Sequence, residues 1–413
     1  MRVLVYPHAM EIGGSQLNAL QLAAAVRDLG HDVTVVSEPG PLLEFVARHD
    51  LPHVGIPADR RRPSAAVART LSTLVGQRGV DVVHGYEWPP VLEALAATRG
   101  RSAVVGTVLS MSVVPFFPRT VPLLVGTEAI RAAALEAGHE HVGLLEPPVD
   151  TETDHPGVDG SAFRAEHGLA PDVPLVAMVC RLVPELKLEG LLAACDAVGE
   201  LAMAGHKVQL VIVGDGRSRA DVERRAARAN ERAGERVVVL TGEIADPRPA
   251  YAAADVLIGM GGSALRGMAF GKPLIVSGER GFSELLTPET APVFLRGGWY
   301  GQGPGSRGSG PAALRDALKP LIDAPVRRAE LGAFARQLVE TRFSLRHAAQ
   351  VLVQEYERAV AEPVPRARLA RDAARSAAGL LAYKFARRYQ RIRGAVSTDD
   401  ANATPVLIPQ ERR

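Results

Sequence analysis

The feature that most limits the fold is a rhythm that runs through the chain twice. Short β-branched runs alternate with long Ala/Leu-rich stretches of helical period. Such alternation makes βαβ units, because a parallel strand pair needs a long crossover to return to its starting edge and a helix supplies one. The first set of strands is expected at residues 2–6, 32–37, 53–56, 80–84, 103–107, 123–126 and 142–145. A helix over 15–29, capped by Ser15 and stopped by Gly30, follows the first strand. Pro147-Pro148-Val149-Asp150 then opens a polar connection to about Gly160 in which both periods lapse. The second set is expected at 175–179, 208–213, 237–241, 256–258, 274–276 and 293–295. At 413 residues the chain has room for two such domains. The expectation is an α/β fold with Rossmann-like domains over 1–150 and 160–345, helices over 346–396 and a disordered end over 397–413. A Gly/Ser/Pro-rich stretch over 296–310 reads as a mobile loop, and its Trp299-Tyr300 pair either closes over a ligand or tucks back onto the protein.

Charge narrows the function classes. The formal net charge is +2, yet residues 366–393 hold nine basic side chains against Asp372 alone, so the remainder of the chain is mildly acidic. A body without a broad basic field does not suit nucleic acid. Cys180 and Cys195 both sit in apolar surroundings, as expected of buried thiols in a reducing compartment. The first residues enter a strand at once, so no signal peptide is expected, and no apolar run reaches bilayer length. A cytoplasmic location follows as the expectation, with peripheral contact to the inner face of the plasma membrane as its extension.

Three segments carry candidate chemistry. Gly13-Gly14 lies between the first strand and first helix, where the backbone can approach an anion and helix N–H groups can meet it. The same pair also serves as an ordinary turn, and it is not the G-x-G-x-x-G dinucleotide pattern, which leaves a nicotinamide dehydrogenase little support. In the second segment Arg181 leaves a strand end and Lys187 follows near a helix start. Two cations at that edge suit a departing nucleoside diphosphate, or else are solvated surface charges. The third runs from Asp255 to Pro273 as strand, glycine-rich turn, helix and new strand. Its Gly261, Gly262 and Ser263 leave N–H groups open to phosphate or serve tight packing alone.

Taken in order, these segments resemble the family 4 glycosyltransferases, also called group 1. The likeness rests on Gly13-Gly14, Gly30-His31-Asp32-Val33-Thr34-Val35, Pro148-Val149-Asp150, Arg181 with Lys187, and Val213-Gly214-Asp215-Gly216. It continues through Thr241-Gly242, Tyr251-Ala252-Ala253-Ala254-Asp255, Met268-Ala269-Phe270-Gly271-Lys272-Pro273 and Glu340-Thr341-Arg342-Phe343-Ser344, covering about residues 2–360. The resemblance implies a GT-B fold, two facing Rossmann-like domains with a donor cleft between them, and transfer of a sugar from a nucleotide-sugar donor with retention of configuration. It implies that Arg181 and Lys187 hold the donor diphosphate, with Gly13 and Gly14 facing it across the cleft. Gly261, Gly262, Ser263, Ala264 and Leu265 would bind phosphate through backbone N–H groups, and Gly242, Glu243 and Ile244 would lie by the base. A UDP- or GDP-sugar is the expected substrate, no cofactor or metal is demanded, and no D-x-D motif occurs. The acceptor, whether a glycan, a lipid-linked sugar or a small molecule, is not specified.

The chain also departs from the family. Two glutamates common among its members are missing, with Arg266, counted with the 261–265 turn among the donor-binding residues, at the position of the second and Met260-Gly261-Gly262-Ser263 in the turn of the first. Leu109 stands near a family histidine. Substitutes are sought at His84, Glu87 and Glu279, with a backbone-bonded His84 as the alternative. These losses keep two other readings open: a catalytically impaired nucleotide-sugar-binding relative, or another GT-B enzyme such as a sugar-nucleotide epimerase. The carboxylates of 150–154 are read as solvated or helix-capping. Beyond Pro365, Leu369, Ala373, Ala377, Leu380, Leu381, Phe385, Tyr389 and Ile392 are read as one apolar face of a basic amphipathic helix. That helix either docks on anionic lipid or packs on the N-terminal domain.

Overall fold

The computed structural model describes residues 1–110 and 112–392, with side chains through Gln390. The expected disordered end at 397–413, together with Arg393 and the Ile392 side chain, lies outside the described residues. The chain divides into two compact units, Met1–Pro147 with Leu345–Arg413, and Pro148–Ser344.

The first unit begins β1 (Arg2–Tyr6), α1 (Gly14–Asp28), β2 (Asp32–Ser37), α2 (Leu43–Arg48), β3 (His53–Gly55), α3 (Ala65–Arg78) and β4 (Val82–Tyr86). It continues α4 (Trp88–Thr98), β5 (Ala103–Val108), β6 (Leu123–Val125), α5 (Glu128–Glu136) and β7 (Val142–Leu144). Its seven strands are all parallel in the order β3-β2-β1-β4-β5-β6-β7. Helices on both faces bury the strands, which is why β4 reads as an unbroken buried run rather than an alternation. Helix α1 starts one residue before the expected Ser15: Gly13 is its N-cap, with no side-chain cap. Gly30 does end it, at φ 91°.

The second unit runs α6 (Ser161–Glu166), β8 (Leu175–Val179), α7 (Leu188–Met203), β9 (Gln209–Val213), α8 (Arg219–Ala233), β10 (Val238–Gly242) and α9 (Arg248–Ala253). Then come β11 (Val256–Gly259), α10 (Gly262–Ala269), β12 (Leu274–Ser277), β13 (Ser283–Leu285), α11 (Ala291–Gly297), α12 (Gly310–Ile322) and α13 (Pro325–Arg342). The sheet order is β10-β9-β8-β11-β12-β13, parallel except for the antiparallel edge strand β13. The strand expected at 293–295 is helical instead, and β13 was not anticipated. A three-residue apolar run carries too little period to separate the two states, and Pro292 near the start of α11 favours the helix.

Two connections are more ordered than their composition suggests. The polar segment after Pro148 is pinned by Arg336, whose guanidinium donates to Asp154 O at 2.9 Å and Thr151 O at 3.0 Å. Arg164 likewise donates to Ala253 O at 2.7 Å and pairs with Asp255 at 2.7 Å. Carbonyls drawn in from water need such donors. The 296–310 loop is anchored at Trp299, which is 4% exposed and wedged between Phe294 and Phe343, so this aromatic tucks back onto the protein.

After Ser344 the chain rejoins the first unit through α14 (Leu345–Ala361) and α15 (Arg366–Ile392). Asp372 of α15 is buried and accepts from Thr120 N and Oγ1, both at 2.8 Å. Arg375 donates to Phe117 O at 2.6 Å, and Tyr383 packs on Phe116. The single apolar face read from the sequence is therefore two faces. Leu369, Ala373, Leu380 and Tyr383 pack on the protein, whereas Leu381, Phe385 and Tyr389 are exposed. Adjacent residues in a helix stand 100° apart, so Leu380 and Leu381 cannot share a narrow stripe. Among the described residues, no helix is long and apolar enough to cross a membrane.

Candidate functional site

In the second unit the parallel strands deliver every following loop to one edge of the sheet. The strand order reverses between β8 and β11, which opens a crevice at their C-terminal ends. The loops after β8 and β9 are bound together there: Cys180 N donates to Val213 O at 3.0 Å and Leu182 N to Asp215 O at 2.8 Å. Gly214 makes this approach possible, since a Cβ on it would stand 1.9 Å from Cys180 O.

This locking fixes the two cations. Arg181 is exposed, and its side chain makes no hydrogen bond or ion pair among the described residues. Lys187 is half-buried at the N-cap of α7, and its ammonium likewise has no hydrogen-bonding or ionic partner among the described residues. Burial pushes its ammonium below the ordinary lysine range; the Cys180 thiol opposes that shift, and the Arg181 charge adds to it. Lys187, partly withdrawn from water, lowers its free energy by receiving an anion, whereas Arg181 is a solvated charge beside it. Beside them Gly242 closes β10 and its carbonyl accepts from Gly214 N at 2.8 Å, while Glu243 is exposed and Ile244 half-buried.

The glycine-rich turn follows β11. Gly261 adopts φ 55°, and its N–H donates to Trp299 O at 2.6 Å. The N–H groups of Ala264 and Leu265 turn back to Gly261 O at 3.1 and 3.2 Å, so they are engaged within the turn. The N–H groups of Gly262 and Ser263 are left to aim from the start of α10. The five-residue backbone cradle expected over Gly261–Leu265 thus contracts to these two groups, because the first turn of α10 takes the others.

After β12, Glu279 receives a hydrogen bond on Oε2 from Tyr300 Oη and another at 2.9 Å from Gln302 Nε2. Gln302 Nε2 also reaches Tyr300 Oη at 2.8 Å. Backbone bonds close the group, from Glu279 N to Gly301 O and from Gly303 N to Glu279 O, both at 3.0 Å. Arg280 N donates to Glu189 of α7 at 2.8 Å, tying this loop to the helix that begins after Lys187. Glu279 pairs with neither Arg280 nor Arg266. Tyr300 and Gln302 drew no attention as its partners because the contact spans a loop whose path composition does not specify.

Arg266 is committed elsewhere. Its Nε lies 2.6 Å from Asp154 Oδ2, and its guanidinium stands 5.9 Å above the Tyr251 ring. Asp154 is 3% exposed, which corrects its reading as a solvated carboxylate; burial raises its pKa against the lowering by Arg266. Asp150 caps a turn rather than a helix, accepting from Glu152 N at 3.1 Å and Thr153 N at 3.2 Å.

Gly13, Gly14 and His84 lie in the first unit. Gly13 and Gly14 open α1 at the C-terminal end of β1. His84 is wholly buried, with Nδ1 2.6 Å from Tyr356 Oη and Nε2 2.7 Å from Thr107 Oγ1. Burial pushes its pKa down to about 3. With both nitrogens engaged, His84 is a core residue and not a substrate contact. The neighbouring Glu87 is held at φ 64°, a costly conformation for a side-chain-bearing residue, and its carboxylate accepts from Leu109 N and Ser110 N, both at 3.1 Å.

Two Rossmann-like units in one chain, each with its loops at the C-terminal edge of a parallel sheet, define the GT-B class of fold. Two stretches of the chain match family models: residues 12–121 match Glycosyltransferase Family 4, and residues 173–298 match Glycosyl transferases group 1. A GDP-mannose-dependent monoacylated alpha-(1-6)-phosphatidylinositol monomannoside mannosyltransferase from Corynebacterium glutamicum is 30% identical over 201 residues, 45% of this chain and 48% of that protein. A 2-deoxystreptamine glucosyltransferase from Streptomyces kanamyceticus is 30% identical over 246 residues, 56% of this chain and 58% of that protein. The chain thus aligns with about half the length of these curated relatives. The Anabaena protein HepE, solved in complex with UDP, has the same fold at TM-score 0.67 and 17% identity, covering 87% of this chain and 100% of that one. The chain is related to the group 1 and family 4 glycosyltransferases and has their GT-B fold.

Proposed function

We propose that the protein transfers a sugar from a nucleotide-sugar donor to an acceptor with retention of anomeric configuration. The observation that carries this reading is the pair Arg181 and Lys187, two cations without counterions among the described residues, at the strand edge where the sheet order reverses. In this reading they hold the donor diphosphate, and Gly262 and Ser263 N–H donate to the same group. The nucleoside lies toward Gly242, Glu243 and Ile244. The two cations neutralise the charge that grows on the leaving diphosphate as the glycosidic bond breaks. A donor phosphate oxygen takes the acceptor proton, so no protein general base is required. A UDP- or GDP-sugar is the donor: one relative is named for GDP-mannose, and HepE was solved with UDP.

Glu279 supplies the carboxylate that faces the donor sugar. Its Oε2 is held by Tyr300 and Gln302, which leaves Oε1 to accept from a sugar hydroxyl. The competing reading, a binder without turnover, draws on Arg266, whose pairing with Asp154 puts a structural ion pair where the family carries a glutamate. The test is calorimetry with UDP-, GDP-, ADP- and dTDP-sugars on the wild type, Arg181→Ala and Lys187→Ala, followed by product analysis by mass. Selective binding of one nucleotide, lost in both variants, with product formed, supports the proposal. Binding that ignores both substitutions removes its basis, and binding without product in any acceptor mixture selects the competing reading.

A further inference from the structure

We infer that α15 carries a docking surface for an anionic lipid bilayer, formed by Leu381 and Phe385 with the flanking cations Lys384 and Arg388. The helix is fixed to the first unit along one side by Asp372 on Thr120, Arg375 on Phe117 O and Leu380 in the core. The opposite side therefore faces outward. On it Leu381 is 58% and Phe385 71% exposed, one turn apart, with Tyr389 a further turn along at 55%. The other large apolar side chains exposed among the described residues, such as Ile12, Met203 and Val326, are scattered along the sequence rather than spaced by a helical turn. Toward the N-terminus the outward face continues as Ala367, Ala370, Ala374 and Ala378, with the exposed cation Arg371 among them.

Charge selects the occupant. Residues 366–393 contain nine basic side chains and one acid, and that acid, Asp372, is buried against Thr120. Lys384 Nζ donates to Arg62 O at 3.1 Å, which brings the exposed Arg61 of the β3–α3 loop beside the helix. A protein partner would need matching carboxylates as well as an apolar groove. A bilayer rich in anionic headgroups meets both halves at once, taking apolar side chains below the headgroups and cations at their level.

The experiment is co-sedimentation of the full chain with phosphatidylglycerol vesicles and, separately, with phosphatidylcholine vesicles, at low and high salt. The expected result is binding to the anionic vesicles only, weakened by salt. Leu381→Glu with Phe385→Glu should weaken that binding at least about tenfold, since two apolar insertions are lost and two repulsive charges added. Lys384→Glu with Arg388→Glu, which leaves the apolar pair intact, should weaken it comparably. Thermal unfolding checks that each variant is folded. Absence of binding to the anionic vesicles, or equal binding by both folded double variants, overturns the inference. So does a wild type that is dimeric in solution and becomes monomeric in the Leu381→Glu, Phe385→Glu variant without having bound vesicles. Binding that emerges only when residues 393–413 are deleted overturns it as well, because the face would then be occupied by the chain's own end.

Discussion

Replacing Lys187 by Met should weaken nucleotide binding and strengthen the fold, and the two effects have one cause. The Lys187 ammonium is half-buried with no partner among the described residues, so in the free protein its charge is a cost. Met keeps the apolar stem and removes the charge. Relief of one partly buried, unpaired charge is expected to stabilise the free protein by about 1 kcal/mol, the low end of the cost of a poorly solvated polar group. The sign with pH agrees: the folded pKa lies below the unfolded one, so wherever the pH is below the lowered pKa both states hold the proton and the penalty is present in full. It fades only as pH rises from the lowered pKa toward the ordinary one.

On the ligand side, a hydrogen bond to a charged group contributes about 1.5 to 3 kcal/mol, which corresponds to a loss of about 10- to 150-fold in affinity for the preferred nucleoside diphosphate. Calorimetry gives the dissociation constant, and thermal unfolding with and without nucleotide gives the stability. The expected pattern is a higher midpoint for the free variant and a smaller shift on adding nucleotide. A variant that binds nucleotide like the wild type, or whose free form melts several degrees lower, would refute the reasoning. Lys187 would then be a structural residue.

Other outcomes follow from the same geometry. Glu279→Ala should lower kcat/KM for the nucleotide-sugar by about 10- to 100-fold while the affinity for the free nucleoside diphosphate changes less than about twofold, because only the sugar loses its acceptor. An equal loss in both would show that Glu279 merely shapes the loop. His84→Phe should destabilise by about 2 kcal/mol, through the unpartnered Thr107 and Tyr356 hydroxyls, with turnover per folded molecule unchanged; a large fall in kcat in folded protein would contradict its placement as a core residue. Stability should decline as pH falls from about 6.5 toward 3. In that range the unfolded chain takes up a proton at His84 that the folded one refuses, and urea titrations across it measure the slope. Asp154→Ala should cost about 2 to 3 kcal/mol by stranding Arg266, and Arg266→Glu should destabilise without raising activity, since the new carboxylate would face buried Asp154.

The parts of the fold that were legible are those in which one residue pattern has one physical solution. Valine-rich runs such as 208–213 bounded by helical stretches leave a parallel sheet as the economical answer, and Gly30 marks a helix end because φ 91° suits little else. The place of Arg181 after β8 and of Lys187 before α7 was legible because the end of a strand run locates a sheet edge. What was not legible depends on where a distant segment passes. Asp154 and Arg266 are 112 residues apart, and no local rule pairs them. The Tyr300 and Gln302 bonds to Glu279 depend on a loop whose composition suggests mobility but whose Trp299 is anchored in the core. Likewise His84 sits at a strand end, where either a ligand or a neighbour's hydroxyl could have met it, and only the arrival of Tyr356 from α14 decides between them.

Counterions separate the two kinds of charge in the second unit. Arg266, Arg164 and Arg336 are also partly buried, yet each meets a carboxylate or a set of backbone carbonyls, so its charge is balanced within the protein. Arg181 and Lys187 are not balanced among the described residues, although Glu185 lies two residues before Lys187. Glu185 pairs with Arg217 at 2.9 Å and not with the lysine. A fold selected only for stability would use that carboxylate to neutralise Lys187, because an unpaired half-buried ammonium is costly and an exposed Arg–Glu pair contributes little. The arrangement instead leaves Lys187 without that partner at the strand edge, which is the charge deficit that the diphosphate of the proposed donor would offset.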